Sequence, residues 1–346
     1  DAGVDPAISA AVGTVADAAA GDGTAPAARR SGEPVTVALA GDVHFEGSSR
    51  AALAPGGLDA VAGLLSAADV AVVNVETAIT DRGTPAGKKY VFRAPPAGLG
   101  ALRAAGVDVA AMANNHGLDY GTTGLTDTLA AGRDEGMPLI GIGADADAAY
   151  APWTTTVRGH RVAVFSATQV LDSNLATAWT ATDGRGGLAS VQTEAGRERL
   201  LAGVRAAHAE ERSVVVVLHW GRELEACPLA AQRSLADDLV AAGADAVVGS
   251  HAHRLLGGGW KDAGGRTGYV DYGLGNFVFY SDRATTTQTG VLLLTLPGDG
   301  GPPDARWEPA VVRSGVPVPL QGDAAAAAVA AKDALRGCTD LRGAGA

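Results

Sequence analysis

Several features that mark common protein classes are missing from this sequence. Only two cysteines, Cys227 and Cys338, occur among the 346 residues, and neither lies in a C-x-x-C spacing, which excludes zinc ribbons and a thioredoxin-like motif. No apolar run approaches the roughly 18 residues of a membrane span, since the longest runs, such as 214–218, have the length of a strand. No G-x-S-x-G elbow occurs and Cys227 has no recognisable active-site context, which disfavours a serine or cysteine hydrolase.

Positive charge is also scarce. The chain has 27 basic against 38 acidic residues, a net charge of −11, which disfavours nucleic acid or an anionic membrane surface as a partner. The same field would repel a polyanionic substrate unless cations sat in the site. Bound metal is therefore an attractive way to hold such a substrate.

The two ends of the chain differ from its middle. Residues 1–33 are rich in Ala, Gly, Asp and Thr, which predicts a flexible linker. We expect one α/β domain over residues 34–320. The last segment, 321–346, is predicted to form a C-terminal helix, near 324–331, and a tail that packs on the outside. The start at Asp1 leads us to expect a leader absent from the given sequence, and hence an extracellular or cell-envelope location. The two cysteines form either one disulfide that pins the tail in an oxidising compartment or two unrelated thiols.

Short β-branched runs alternate with Ala- and Leu-rich helical segments in the middle of the chain. Strands are predicted at 35–40, 70–75, 107–113, 161–165, 214–218, 246–248 and 269–272, and helices at 58–67, 96–105, 124–135, 193–211 and 229–242. This alternation predicts a layered α/β fold with a mostly parallel sheet. Two later strands, 291–296 and 306–312, have no helix between them and predict an added antiparallel part.

Side chains able to bind metal follow these strands at their carboxyl ends, where open α/β sheets place their ligand crevice. They are Asp42, His44, Glu76, Asn115, His219, His251 and His253. Taken singly, each has an ordinary structural interpretation, such as a helix cap, a turn or a structural histidine. Together they include four of the seven histidines, and His116 beside Asn115 is a fifth, which predicts one shared metal site.

In this order, the segments resemble the CapA family of capsule and poly-γ-glutamate biosynthesis proteins, within the calcineurin-like metallophosphoesterase superfamily. The motifs that carry the resemblance are Gly41-Asp42, Asn74-x-Glu76, Asn114-Asn115-His116-x-x-Asp119-Tyr120-Gly121, His219-Trp220-Gly221-x-Glu223, Gly249-Ser250-His251-x-His253 and Leu274-Gly275-Asn276-Phe277. The resemblance implies an α/β fold, specifically a four-layer α/β/β/α sandwich. It also implies two divalent metal ions, Mn, Fe or Zn.

The superfamily pattern implies a role for each matching residue. One ion would be held by Asp42, His44, Glu76 and His253, and the other by Glu76, Asn115, His219 and His251, with Glu76 bridging. The superfamily normally has an aspartate at the bridging position, and here Asn114 also replaces a glycine before Asn115. His116, with Asp119, would protonate the leaving group or stabilise the transition state.

Three further residues are candidates on the substrate side. Glu223, four residues after His219, would orient a ligand histidine or contact an amine of the substrate. Arg93 would pair with an anionic substrate. Asn276 belongs to a close-packed loop under the site and is a candidate substrate contact.

Two functions of different classes follow. The first is a metal-dependent hydrolase of the cell envelope that acts on a phosphoester or on a γ-glutamyl or peptide polymer in capsule poly-γ-glutamate biosynthesis. The second is a non-catalytic polymer-binding or export accessory with a metal-bridged anion site. The expected partners are an anionic polymer or phosphoester and membrane-associated capsule synthesis machinery, without nucleic acid.

Overall fold

The computed structural model describes residues 32–345, so nearly all of the predicted linker 1–33 lies outside the described residues. The strands are β1 Val35–Val43, β2 Val70–Val75, β3 Ala78–Ile79, β4 Arg93–Ala94, β5 Val109–Ala111, β6 Leu139–Ile140, β7 Ile142–Gly143, β8 Trp153–Val157, β9 His160–Thr168, β10 Gly187–Leu188, β11 Ser213–His219, β12 Ala246–Ser250, β13 Gly258–Ala263, β14 Arg266–Asp271, β15 Asn276–Val278, β16 Gln288–Leu296, β17 Asp304–Arg313 and β18 Val316–Pro319. The α-helices are α1 Asp59–Ser66, α2 Ala97–Ala104, α3 Gly121–Asp134, α4 Ala146–Tyr150, α5 Ala176–Trp179, α6 Glu194–Ala209, α7 Ala230–Ala242 and α8 Gly322–Ala334, with 3₁₀ turns at Gly47–Leu53 and Leu335–Cys338.

Two large mixed sheets form the centre of the molecule. The first has the order β18-β17-β16-β1-β2-β5-β6, with β15 also paired to β1, and the second has the order β13-β14-β12-β11-β9-β8. Neighbours from β1 to β6 run parallel, whereas β16, β17 and β18 are antiparallel, as the later strands predicted. In the second sheet, β9, β11, β12 and β14 are parallel and the two edge strands are antiparallel. The one mostly parallel sheet expected from the strand pattern is therefore two sheets.

The order of the layers follows from side-chain alternation along the strands. Val37 and Leu39 of β1 face the other sheet, where they join a cluster that includes Val215 and Val217 of β11. The opposite faces are covered by helices: α1, α2 and α3 on the first sheet, and α6 and α7 on the second. Strands buried on both faces read as continuous apolar runs, as in β2 and β11. The four-layer α/β/β/α order is confirmed.

The C-terminal segment is attached to the second sheet. Lys332 of α8 is buried, and its Nζ lies 2.9 and 2.8 Å from the two carboxylate oxygens of Asp271 in β14. Most other residues of α8 are exposed or half-buried. Cys227 and Cys338 form a disulfide with a Cα–Cα distance of 5.7 Å, so of the two alternatives for the cysteines the structure contains the bridge. Within 32–345, no helix combines the length and apolar character needed to cross a membrane.

Loss of the disulfide is expected to lower the free energy of unfolding by about 2–4 kcal/mol, because the bridge joins residues 111 positions apart and restricts the unfolded chain. Urea unfolding measures this loss of stability. The double variant Cys227→Ser/Cys338→Ser is compared with the wild type in the presence and absence of a reductant. The reduced wild type serves as the matched control, since it should unfold at the same urea concentration as the double variant. A wild-type midpoint that does not change on reduction would contradict the prediction.

Candidate metal centre

The predicted ligands meet at the seam between the two sheets. Asp42 is in β1, with His44 directly after the strand, and Glu76 directly follows β2 in the same sheet. His219 ends β11 of the second sheet, and the loop after β12 carries the last two histidines. Because β1 packs near β12, the strand ends of both sheets point their polar side chains at one place.

Two glycines permit the tight packing of these strand ends. A Cβ on Gly41 would lie 1.8 Å from the Gly275 carbonyl oxygen, which accepts the Asp42 N–H at 2.9 Å. A Cβ on Gly249 would lie 2.0 Å from Nε1 of Trp220. Packing therefore requires glycine at both positions: Gly41, which precedes Asp42, and Gly249, which precedes His251 and His253 in the sequence motif.

The Glu76 carboxylate lies at the centre of the site. Its Oε1 is 3.4 Å from Nε2 of His219 and 3.9 Å from Nε2 of both His253 and His116. Both oxygens are buried and have no hydrogen-bond partner among the described residues. A buried carboxylate is costly unless it is paired or coordinates a metal.

Two sets of side chains bring their ligand atoms within 4.8 Å of one another: Asp42, Glu76 and His219, and Glu76, His251 and His253. Carboxylate and imidazole are ligands suited to divalent transition metals. Together with the unpartnered oxygens of Glu76, this donor chemistry fits a bound divalent cation.

His219 is oriented by amides and a hydroxyl. The Asn74 amide donates to Oδ1 of Asp42 at 2.8 Å and lies 3.1 Å from Nδ1 of His219, which is also 3.0 Å from Oγ of Ser250. On the other side of the ring, Nε2 is 2.6 Å from Oδ1 of Asn115. Asn115 is thus placed beside the site, in contact with a member of one donor set.

The loop after β12 has an unusual backbone. His251 and His253 have φ angles of +92° and +54°, which side chains other than glycine rarely adopt. Such conformations are found mainly where the surroundings hold them for a function. Here the His251 N–H donates to Oδ2 of Asp42 at 3.2 Å, and Nδ1 of His253 is 3.3 Å from the same oxygen.

His44 lies beside the two donor sets and is not a member of either. Its Nδ1 accepts the Glu46 N–H at 3.0 Å, and its ring packs on Phe92 and Phe279 with centroid distances of 4.7 and 4.0 Å. Its Nε2 is buried without a hydrogen-bond partner. Only that nitrogen is free to bind an ion.

Burial and neighbouring charges set the protonation of the site. Burial, with nearby imidazoles, holds the pKa of His44 and His251 well below the usual value, which leaves neutral rings. Burial disfavours the charged form of His253, but Glu76 and Asp42 outweigh it and raise its pKa to about 10. Burial likewise opposes ionisation of Asp42, yet His253 and His219 lower its pKa overall. A cation bound there would replace the proton on His253, so we expect affinity to fall in acid.

His116 and Asp119 form a pair at the edge of this cluster. Nδ1 of His116 is 2.6 Å from Oδ2 of Asp119, which also accepts the Phe92 N–H at 2.7 Å. Asn114, which replaces the expected glycine, accepts the His116 N–H at 3.0 Å and donates to the Val75 carbonyl at 2.8 Å. Asn114 thereby fastens the loop to the first sheet, and Nε2 of His116 is left facing Glu76.

A cavity of about 370 Å³ opens over the site. It is lined by Tyr90, Phe92, His116, Glu223, Leu224, His253, Asn276, Phe279, Tyr280, Ser281, Asp282, Arg283 and Thr286. The large apolar side chains that are exposed among the described residues are all at this rim: Tyr90 at 50%, Leu224 at 45% and Tyr280 at 39%. A larger cavity, about 470 Å³, lies under α8 and contains none of the predicted site residues.

The three substrate-side candidates occupy different places. Glu223 is exposed on the cavity wall, and because Asn74 and Ser250 surround Nδ1 of His219, Glu223 does not orient that ring. Its charge helps to raise the pKa of His253, which lines the same cavity, so both predicted roles, orienting a ligand histidine and contacting an amine of the substrate, stay predictions.

Arg93 and Asn276 are engaged with the protein itself. The Arg93 guanidinium is exposed and lies 5.2 Å from the centre of the Tyr120 ring, outside the cavity lining. Oδ1 of Asn276 is 2.9 Å from Nδ1 of His253, and its amide donates to the Thr286 carbonyl at 2.9 Å. Asn276 therefore holds a metal-competent histidine.

The sequence motifs contain Asn74, Ser250 and Asn114, but sequence reasoning missed the role of each in ordering the site. Asn74 is the polar residue in an otherwise apolar strand, and Ser250 directly precedes His251. A polar side chain next to a predicted ligand at a strand end is the signal that could have found both.

The chain is similar to proteins named for capsule, PGA or polyglutamine synthesis. A probable polyglutamine synthesis accessory protein of Mycobacterium tuberculosis is 34% identical over 192 residues, which cover 54% of this chain and 50% of that protein. The capsule biosynthesis protein CapA of Bacillus anthracis is 30% identical over 220 residues, or 64% and 51% of the two chains. The PGA biosynthesis protein CapA of Bacillus subtilis is 30% identical over 219 residues, or 61% and 52%.

The chain spans about half the length of the curated relatives that it matches. The family described as bacterial capsule synthesis protein PGA_cap matches residues 36–281, which include every predicted ligand. Because this match covers most of the chain, the protein belongs to the bacterial capsule synthesis protein family PGA_cap.

Proposed function

We propose that this chain is a metal-dependent hydrolase of the cell envelope that acts in capsule poly-γ-glutamate biosynthesis. Its substrate would be a phosphoester or a γ-glutamyl or peptide bond of an anionic polymer. The observation that carries the proposal is the buried Glu76 carboxylate, which has no hydrogen-bond partner and faces the imidazoles of His219, His251 and His253. A buried carboxylate is costly unless it is paired or binds a metal, which supports a divalent cation at the centre of this site.

Two divalent ions, Mn, Fe or Zn, would supply Lewis-acid polarisation of the substrate and activation of water. The residues that would hold them are Asp42, His44, Glu76, Asn115, His219, His251 and His253. Imidazoles kept neutral by burial have their lone pairs available for this.

The remaining chemistry falls to His116. Asp119 accepts a hydrogen bond from Nδ1, which orients the ring and leaves Nε2 facing the Glu76 carboxylate at 3.9 Å, in a residue that also lines the cavity. His116 would hold a proton there and deliver it to the leaving oxygen or nitrogen of the substrate. Glu223 on the cavity wall would contact an amine of the substrate.

The names of the relatives and the disulfide support a role in the cell envelope. The names of the relatives concern capsule or polyglutamine synthesis, and the Cys227–Cys338 disulfide suits an oxidising compartment such as the cell envelope. Association with membrane-bound capsule synthesis machinery belongs to the same proposal. The net charge of −11 argues against nucleic acid.

A non-catalytic polymer-binding or export accessory is the second candidate, favoured by the word accessory in the name of the mycobacterial relative. The same metal-competent cluster would then bridge cations to an anionic chain. The His116–Asp119 pair argues for the hydrolase, because binding alone does not require a positioned proton donor.

Metal removal is expected to bring hydrolysis down to background, and added Mn²⁺ or Zn²⁺ is expected to restore it. The measurement pairs elemental analysis of the purified protein with turnover of bis-p-nitrophenyl phosphate and of a short γ-glutamate oligomer. Metal without turnover of either substrate would favour the accessory. Absence of stoichiometric metal would count against both candidates.

A further inference from the structure

Lys88 is a lysine in an unusual environment. Its side chain is only 8% exposed, although the residue belongs to the loop between β3 and β4. Nζ lies 3.0 Å from Oδ1 of Asp119 and 3.4 Å from Oδ2 of Asp172, and it also donates to the carbonyl oxygen of Asn115. The Asn115 carbonyl accepts a hydrogen bond from the ammonium group, and the two carboxylates are ion-pair partners.

The partners of Lys88 connect it to two parts of the site. Asp119 offers its other oxygen to His116, so a single carboxylate stands between the ammonium and the imidazole. Asn115, whose carbonyl Lys88 binds, has its side-chain oxygen 2.6 Å from His219. The contact with Asp172, which is 42% exposed, is the one that water screens most.

Burying an ammonium group is costly unless it is paired and hydrogen-bonded. Lys88 is not the only link between the loop and Asp119, because two backbone N–H groups of the loop also donate to that residue. The Ala86 N–H donates to the Asp119 carbonyl at 2.8 Å, and the Phe92 N–H donates to its carboxylate at 2.7 Å. Lys88 is therefore available for a role in the site.

We propose that Lys88 is a positioning residue that holds the Asp119 carboxylate against His116 and fixes the loop that presents Asn115. The inference rests on the proposed hydrolase function for its kinetic part. Lys88 is absent from the cavity lining, so it acts through Asp119 and does not touch the substrate.

The first test is kinetic. Lys88→Met is expected to lower kcat about 10–100-fold, the usual effect of removing a group that orients a site residue, with KM changed less than about twofold. Lys88→Arg should recover much of the loss because it restores a cation beside Asp119. Lys89→Met is the matched control, since Lys89 is the exposed neighbour, and it should keep the wild-type kcat.

A double-mutant cycle shows whether the effect passes through Asp119. If it does, Lys88→Met/Asp119→Asn loses no more activity than Asp119→Asn alone. Independent, additive losses would overturn the proposal. Should Lys88→Met fail to fold, Lys88→Gln carries the same test, because it can still donate to the Asn115 carbonyl.

A second readout requires neither metal nor turnover. The proton between Nδ1 of His116 and Oδ2 of Asp119 should give a downfield ¹H resonance in the wild type that His116→Asn abolishes. Lys88→Met should shift or broaden that resonance and Lys88→Arg should restore it. An unchanged resonance in Lys88→Met would overturn the role of Lys88. A wild type that hydrolyses nothing would refute only the proposed function.

Discussion

Asp42→Asn is expected to lose bound metal and to lower hydrolysis by at least about 10³-fold, which corresponds to about 4 kcal/mol of transition-state stabilisation. The change keeps the size of the side chain but removes its charge. In the native site Oδ1 accepts from Asn74, while Oδ2 accepts the His251 N–H and lies 3.3 Å from His253. The variant would therefore weaken a ligand and the geometry of two histidines together.

Elemental analysis and turnover measured on the same preparation test this expectation. His251→Ala should give the same double loss, since it removes a member of the second donor set. Asp108→Asn is the matched control: this partly buried carboxylate accepts the Ala71 N–H at 2.8 Å, outside the site, and its replacement should leave metal content and turnover intact. Full activity in Asp42→Asn would refute the proposed metal chemistry.

The second large effect concerns stability. Lys332→Met is expected to lower the free energy of unfolding by about 3–5 kcal/mol, because it leaves the buried Asp271 carboxylate without its cation. The Lys332 ammonium also lies 3.4 Å from the Gly273 carbonyl and donates to that of Leu256. Those carbonyls would lose a donor as well.

The pH dependence of this loss has a definite sign. Burial raises the pKa of Asp271 above the ordinary 3.8 even though Lys332 lowers it, and removal of Lys332 should raise it further. A group with a raised pKa binds more protons when folded, so the stability of the variant falls as pH rises above about 3.8. The deficit relative to the wild type should therefore be small near pH 4 and grow toward neutrality.

Urea unfolding at several pH values measures both effects. Lys332→Met/Asp271→Asn is the matched control, and it should recover most of the stability because no buried charge is left unpaired. A double variant as unstable as the single one would show that packing of the lysine stem, and not the charge of Asp271, causes the loss.

Much of the strand pattern could be predicted because the central strands are valine-rich and buried on both faces. The prediction for 70–75 matches β2 in both bounds, and 214–218 falls one residue short of β11 at each end. Periodicity says which residues share a face but not which strands share a sheet, so the division into two sheets could not be predicted from it. The edge strands β8 and β13 were missed, since their half-exposed sequences carry little apolar signal.

The site was predictable to the extent that its residues stand at strand ends. The structure brings Asp42, Glu76, His219, His251 and His253 into the two donor sets. Lys88 was missed because no local pattern marks it: its partner Asp119 is 31 residues away in the sequence and reaches it only in the folded chain. Arg93, which was predicted to contact the substrate, lies five residues after Lys88 and has the same charge, but its side chain is exposed.

The position of the donor sets at the seam has a mechanical consequence. Asp42 and Glu76 lie in or directly after strands of the first sheet, and His219, His251 and His253 lie at the end of, or in the loop after, strands of the second. An ion bonded to ligands from both sheets would cross-link two halves of the core that otherwise meet through apolar side chains. The melting temperature would then rise with free metal concentration by mass action, so that metal supply would also control how long the folded protein survives.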